Sequence, residues 1–124
     1  ARKNKAAILA ELDEFTRHYL EEVMFTEEKE GEPGPSDIDC LTIESLRESI
    51  EDCRNFQEGN KADLEEFRRV SGFSGGGDFW LTRNYHGAGF WDRGLGEVGQ
   101  RLTDSAHVYG SVYGEWCGNR LHLG

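Results

Sequence analysis

One stretch rich in aromatic residues and glycine, residues 77–94, constrains the fold more than any other part of the chain. Its two aromatic segments, Asp78–Arg83 and Phe90–Arg93, flank a glycine-bearing bend at Asn84–Gly89. The large side chains of the first segment alternate between two faces, which is typical of a β-strand, and glycines in a bend allow positive φ angles. The stretch therefore predicts a β-hairpin with aromatic side chains on both faces.

Helices are predicted before this stretch. Apolar residues recur every three or four positions from residue 4 to residue 25 and form one stripe, with Asn4 in place to cap the helix. Residues 26–41 contain both prolines and a dense acidic run, which predicts a loop. The predicted helices cover residues 4–25, residues 42–58 up to a stop or kink at Gly59-Asn60, and roughly Lys61–Val70.

Glycine divides the chain into two parts. Thirteen of the 16 glycines lie from Gly72 onward, so residues 71–77 are predicted to be a flexible connector. It joins an acidic helical part, residues 1–70, to a part rich in glycine and aromatic residues, residues 71–124. Because the second part alone is too small to bury its aromatic residues well, we predict a single domain over residues 1–124.

The second part is predicted to contain a helix between two hairpins. The helix covers Leu95–Tyr109, and the second hairpin turns at Gly118-Asn119, a pair suited to a two-residue loop. The resulting element order is αα(α)-ββ-α-ββ. We therefore predict an α+β fold in which the N-terminal helices pack with a small, mostly antiparallel four-stranded sheet.

Negative charge is concentrated in the helical part of the chain. The net charge is −10, and residues 11–66 contain 19 acidic and 5 basic side chains. Such a surface repels nucleic acids and anionic membranes and attracts basic protein surfaces. Solubility alone is the competing explanation of the same pattern.

No cofactor or metal site is predicted. The cysteines, Cys40, Cys53 and Cys117, are odd in number and widely spaced, which argues against a disulfide framework and fits a reducing compartment. The histidines are scattered, without the spacing of metal ligands. No apolar run is long enough for a transmembrane helix, and no signal peptide is visible.

Catalysis is a weaker interpretation of the aromatic stretch. His86 could serve as general base, oriented by Asp92, while Arg83 or Arg93 holds an anion. No nucleophile with a partner accompanies them, and the alternative is that Asp92 pairs with one of the arginines. The glycine spacing of residues 94–99 matches a dinucleotide-binding loop, but no βαβ unit follows it. We therefore predict that the chain is not an enzyme.

The run DFWLTRNYHGAGFWDRGLGEVGQRLTDSAHVYG, residues 78–110, resembles the C-terminal part of a family of small accessory proteins of tailed bacteriophages and related mobile elements. The common form in that family is DFWLTRNGHGAGFWDRG, followed by an LG(E/D)xGxxLT helix and a short β-hairpin. Glu51–Phe56 also resembles an EDC-x-x-F segment of the family's acidic helical part, whereas Tyr85 departs from the usual glycine. Most members have no assigned activity. The resemblance implies a phage accessory gene that acts in the host bacterial cytoplasm.

Charge and resemblance together give a functional hypothesis. We expect a non-enzymatic phage protein that inhibits a host defence or DNA-processing protein, as anti-CRISPR and antirestriction proteins do. An acidic surface that mimics nucleic acid would bind the partner's basic nucleic-acid-binding surface. The alternative is a phage structural or regulatory module, or a homodimer with the Trp-rich hairpin as its interface. The carboxylates predicted to bind the partner are Glu27, Glu28, Glu30, Asp37, Asp39, Glu44, Glu48, Glu51 and Asp52.

Overall fold

A computed structural model describes residues 4–124 of the protein. Within this range it contains six α-helices, two 3-10 helices and one antiparallel sheet of two strands. None of the helices in these residues has the length and apolar composition needed to cross a membrane. The α-helices are α1 (Lys5–Ala10), α2 (Glu14–Thr26), α3 (Ile43–Gly59), α4 (Lys61–Ser71), α5 (Gly76–Arg83) and α6 (Glu97–Val108). The strands are β1 (Gly114–Cys117) and β2 (Arg120–Leu123), and the 3-10 helices are Ile38–Cys40 and Phe90–Arg93.

The predicted α+β fold with a four-stranded sheet is wrong, because the aromatic stretch is helical. Helix α5 and the 3-10 helix Phe90–Arg93 stand where the sequence predicted the two strands of the first hairpin. Phe79, Trp80 and Arg83 of α5 are all buried, so this helix faces protein on most sides. A short helix buried in this way has no apolar stripe, and periodicity alone does not distinguish it from a strand. The fold is α-rich with one small β-hairpin.

The glycines at the start of α5 form a close contact between helices, instead of the flexible connector predicted over residues 71–77. Gly75 has a φ of 96°, in the left-handed region that favours glycine, and it precedes the first turn of α5. A Cβ at Gly76 would lie 1.9 Å from the backbone carbonyl oxygen of Phe15. Glycine at position 76 therefore allows α5 to approach α2 closely.

The first predicted helix is divided into α1 and α2. Asn4 caps α1 as predicted, because its side chain accepts a hydrogen bond from the N–H of Ala7 over 2.9 Å. Asp13 interrupts the helix with an extended backbone (φ −74°, ψ 169°) and caps α2. Its carboxylate accepts from the N–H of Thr16 over 2.7 Å. Asp13, which lies inside the helix predicted over residues 4–25, thus acts as an N-cap, a role that aspartate favours.

The helices from residue 42 to residue 71 agree closely with the prediction. Thr42 caps α3, Asn60 separates α3 from α4, and Gly72 ends α4 with a φ of 80°.

Helix α6 begins two residues later than predicted, because Gly94 and Gly96 both take positive φ angles, 71° and 60°. Local capping signals therefore located these helix ends to within a few residues.

The C-terminal hairpin is confirmed. Strands β1 and β2 pair antiparallel, with Gly114 opposite Leu123. Leu121 and Leu123 are buried, and Leu121 also pairs with Leu41 in an isolated parallel bridge. The hairpin is therefore attached to the core and lies beside the start of α3.

Stacked aromatic rings from both parts of the chain form the centre of the core. The rings of Phe56 and Phe79 are nearly parallel, with centroids 4.1 Å apart. Phe90 and Phe15 stack on Phe56 with centroid distances of 5.7 and 6.0 Å. Such contacts add to the stabilisation that burial provides. Residues 4–70 and residues 71–124 thus contribute to one continuous core.

Candidate functional site

Most of the nine carboxylates predicted to bind a partner are exposed, and they occupy three neighbouring segments. These segments are the loop after α2, the 3-10 helix Ile38–Cys40 with the residue before it, and the outer face of α3. The exposed residues are Glu28, Glu30, Asp37, Asp39, Glu44, Glu48 and Glu51, whereas Glu27 and Asp52 are half-buried.

The outer face of α3 carries a row of carboxylates. Glu44, Glu48 and Glu51 are four and three residues apart, a spacing that places side chains on one face of a helix. Glu58 continues this row two turns later and is also exposed. Within residues 4–124 none of these four carboxylates forms an ion pair. Their like charges therefore add to a negative potential on this face.

The acidic loop after α2 is attached to the hairpin. The ring nitrogen of Trp116 donates to the backbone carbonyl of Glu27 over 2.9 Å. Lys29 Nζ donates to Asn119 Oδ1, also over 2.9 Å. The Glu27 carboxyl group lies against Gly114, where an added Cβ would be 3.0 Å from its carbon atom. These contacts hold a loop without regular secondary structure beside β1.

The second acidic segment lies beside β2. Asp37 caps the 3-10 helix Ile38–Cys40, its carboxylate accepting from the N–H of Asp39 over 3.1 Å. Leu41 follows directly and pairs with Leu121, and the N–H of Thr42 donates to the carbonyl of Leu121 over 3.0 Å. The two acidic segments therefore both adjoin the hairpin, and the row on α3 starts from the same place.

Asp52 has a structural partner. Its carboxylate accepts a hydrogen bond from Arg83 Nη1 over 2.8 Å, and Arg83 is 3% exposed. The same guanidinium donates to the Tyr19 hydroxyl over 3.1 Å and to the carbonyls of Tyr109 and Gly110 over 3.0 and 2.9 Å. Burial raises the pKa of Tyr19, so its hydroxyl stays protonated. The charge of Asp52 is thus balanced inside the protein, and its contribution to a docking surface is small.

The residues considered for catalysis are engaged separately. Arg83 donates to the carboxylate of Asp52 on α3. Arg93 donates to both carboxylate oxygens of Asp78 over 3.0 and 3.3 Å. His86 and Asp92 are exposed on the bend and on the 3-10 helix Phe90–Arg93. Both arginines therefore pair with carboxylates other than Asp92, and the grouping considered from the sequence is not formed.

The tryptophans of the aromatic stretch do not share a surface. Trp80 is fully buried, and its ring nitrogen donates to Thr26 Oγ1 over 2.8 Å. Trp91 is 57% exposed. Tyr85, 69% exposed, has a φ of 57°, in the left-handed region that favours glycine. Of the two tryptophans in the stretch that the alternative hypothesis used as a dimer interface, only Trp91 is therefore accessible to a partner.

The three cysteines are free and differ in exposure. Cys53 is buried, Cys40 is half-buried and Cys117 is exposed. Burial raises the pKa of the Cys53 thiol well above its usual value. Among residues 4–124 no group of three or more His, Cys, Asp or Glu side chains is arranged to hold a metal ion.

A groove that the sequence did not predict lies between α2 and the start of α5. Its volume is about 440 Å³, and two exposed phenylalanines, Phe25 and Phe73, are 62% and 52% accessible at its walls. A signal for it was present, because Phe25 is a large apolar residue outside the buried stripe of α2. We call it the Phe25 groove and define it by Glu21, Glu22, Phe25, Phe73, Asp78 and Arg93.

No protein-family model, curated protein or solved structure matches this chain. The placement of its charges and grooves is therefore the basis for the function proposed below.

Proposed function

We propose that this chain is a phage-encoded, non-enzymatic protein that binds and inhibits a host defence or DNA-processing protein in the host bacterial cytoplasm. Its acidic surface consists of Glu27, Glu28, Glu30, Asp37, Asp39, Glu44, Glu48 and Glu51. This surface takes the place of nucleic acid on a basic groove of the partner, which is the mode of action of an anti-CRISPR or antirestriction protein. The observation that carries the proposal is that none of the eight carboxylates forms an ion pair within residues 4–124.

Several acidic residues elsewhere pair with arginines. Helix α4 and its neighbours carry three such pairs, and a further carboxylate pairs with Arg83. The eight carboxylates of the acidic surface differ in this respect from these four paired residues. A concentration of unpaired negative charge attracts a basic partner and accelerates association with it. The three pairs are Glu14–Arg68, Asp63–Arg101 and Glu66–Arg69.

A comparison of two variants with the same change in net charge tests the proposal. The first replaces four exposed residues of the acidic surface, Glu28, Glu44, Glu48 and Glu51, by glutamine. The control replaces four exposed acidic residues of the second part, Asp92, Glu97, Asp104 and Glu115, by the matching amides. Both lose four negative charges, so only the position of the charge differs.

The readout is affinity capture from bacterial lysate, followed by a DNA-displacement assay on the captured protein. We expect the wild type and the control to capture the same DNA-binding protein and to release its DNA, more weakly at high salt. The acidic-surface variant should lose both properties. Equal capture by the two variants contradicts the proposed surface, and capture without DNA release contradicts nucleic-acid mimicry.

The second candidate, a structural or regulatory phage module that forms a homodimer, has one observation in its favour. Trp91 exposes 57% of its surface, and tryptophan is enriched at protein interfaces. Light scattering after size-exclusion chromatography tests it. A dimer that dissociates on Trp91→Ala but not on Tyr113→Ala, an exposed aromatic elsewhere, favours this function over inhibition.

A further inference from the structure

The Phe25 groove combines aromatic walls with negative charge. Glu21, Glu22 and Asp78 line it, against one arginine, Arg93, and one histidine, His18. Glu22 approaches the start of α5, where a Cβ at residue 77 would lie 3.2 Å from Glu22 Oε1. Burial and the neighbouring Asp78 raise the pKa of Glu22, and His86 opposes this shift to a smaller extent.

One half of the groove already holds an arginine. The guanidinium of Arg93 lies 4.4 Å from the centre of the Phe73 ring. The same group donates to both oxygens of the Asp78 carboxylate over 3.0 and 3.3 Å. A planar guanidinium thus combines ring stacking with a bidentate ion pair, an arrangement that the compact ammonium group of lysine does not reproduce.

The other half offers the same kinds of group, an aromatic ring and carboxylates, without an arginine or lysine among the described residues that line it. Phe25 is 62% exposed, and Glu21 and Glu22 stand one turn before it on α2. Within residues 4–124 neither glutamate forms an ion pair. An exposed aromatic ring beside two unpaired carboxylates is complementary in charge and shape to a second guanidinium.

The groove is also continuous with the acidic surface. Glu21 and Phe25 line a second, adjoining depression together with Arg17, Pro35 and Asp37. Phe25 therefore stands between the groove and the residues proposed to face a basic partner. A partner docked on that surface would bring its own basic side chains to the groove.

We infer that the Phe25 groove receives an arginine side chain from the basic surface of a protein partner, with the guanidinium against Phe25 and paired with Glu22 and Glu21. The inference deepens the proposed function and relies on it for the identity of the partner class. It also states a preference, arginine over lysine, that charge alone does not produce.

The test uses fluorescein-labelled peptides of six arginines or six lysines, alternating with glycine, and measures binding by fluorescence anisotropy. We expect the wild type to bind the arginine peptide about fivefold more tightly than the lysine peptide. Phe25→Ala should remove this preference. Because that substitution leaves the net charge unchanged, general electrostatic attraction stays constant. Tyr113→Ala, which removes an exposed aromatic ring elsewhere, should keep the preference.

Glutamate substitutions test the ion pair separately. Glu22→Gln should weaken binding of the arginine peptide about fivefold, whereas Glu115→Gln on β1 should change it less than about twofold. Thermal unfolding followed by circular dichroism checks that each variant is folded. A wild type without arginine preference overturns the inference, and so does a preference retained by folded Phe25→Ala and Glu22→Gln.

The two proposals fail in different ways. A wild type that captures and inhibits the host protein but shows no arginine preference removes the groove and leaves the proposed function. An arginine preference that depends on Phe25, in a protein that displaces no DNA from any captured protein, supports the groove and removes inhibition by nucleic-acid mimicry.

Discussion

Arg83 on α5 donates a hydrogen bond to the carboxylate of Asp52 on α3 over 2.8 Å, and both ends of this ion pair belong to the core framework. The guanidinium is almost fully buried, and it also binds Tyr19 on α2 and two carbonyls after α6. One buried cation therefore connects four helices, and Asp52 supplies its countercharge.

Replacing Asp52 by alanine should destabilise the protein by about 2 kcal/mol, because Arg83 stays buried without its countercharge. The loss is below the 3–5 kcal/mol of a fully buried pair, since the Asp52 side chain is 34% exposed. Urea unfolding measures it. The neighbouring exposed Glu51→Ala is the control and should stay within about 0.5 kcal/mol of the wild type. Equal unfolding midpoints for the two variants would show that the ion pair is not structural.

Gly76→Ala should prevent folding or lower the unfolding free energy by more than about 3 kcal/mol, because an added Cβ overlaps the carbonyl oxygen of Phe15. The matched control is Gly59→Ala at the end of α3, where an added Cβ meets nothing within 4 Å. That variant should gain up to about 1 kcal/mol, since alanine favours the helix. Thermal unfolding by circular dichroism separates them. A folded Gly76→Ala protein of normal stability contradicts the close approach of α5 and α2.

Glu22→Gln should stabilise the protein at neutral pH and not at acidic pH. Burial and Asp78 raise the pKa of Glu22 above its usual 4.5, so the native state holds this proton more tightly than the unfolded chain does. Ionisation of Glu22 therefore lowers native stability as the pH rises from 4.5 through the folded pKa. Glutamine does not ionise.

Urea unfolding at about pH 3.5 and about pH 7 measures this effect, and the advantage of Glu22→Gln should appear only at the higher pH. The control, Glu115→Gln, should leave the unfolding midpoint close to that of the wild type at both values. An advantage of the same size at both pH values contradicts the linkage. A variant that is more stable yet binds the arginine peptide less tightly has lost a functional contact.

The cysteines should react with a thiol reagent in order of exposure. We expect Cys117 to be labelled first, Cys40 more slowly, and Cys53 only after unfolding, because it is buried and its thiol pKa is raised. Labelling with an aromatic disulfide reagent, followed by peptide mass spectrometry, assigns each rate. Reaction of Cys53 in native buffer at the rate of Cys117 contradicts the core position of α3.

Local signals explain which parts of the fold the sequence predicts well. Thr42, Asn60 and Gly72 are residue types that cap or end helices wherever they occur, and the turn at Gly118-Asn119 fixes its own hairpin. Each of these signals acts within a few residues. The helices of residues 42–71 and the C-terminal strands therefore agree with the prediction.

Tertiary contacts explain the features that the sequence did not predict. Residues 76–83 form a helix because α2 and the aromatic core surround them, and none of these contacts is visible in eight residues of sequence. Asp52 resembles its exposed neighbours in sequence, yet it pairs with Arg83, 31 positions away. The Phe25 groove likewise requires residues from α2, the segment before α5 and the 3-10 helix Phe90–Arg93 to meet.

The attachment of the acidic loop to the hairpin also bears on the speed and strength of association. Trp116 and Lys29 hold the loop that carries Glu28 and Glu30 in one position before any partner arrives. A partner docking there finds its binding surface pre-organised, so little backbone entropy is lost on complex formation. Replacing Trp116 would remove no carboxylate from the protein, yet it would slow association, because the loop would have to take up its binding position in each encounter.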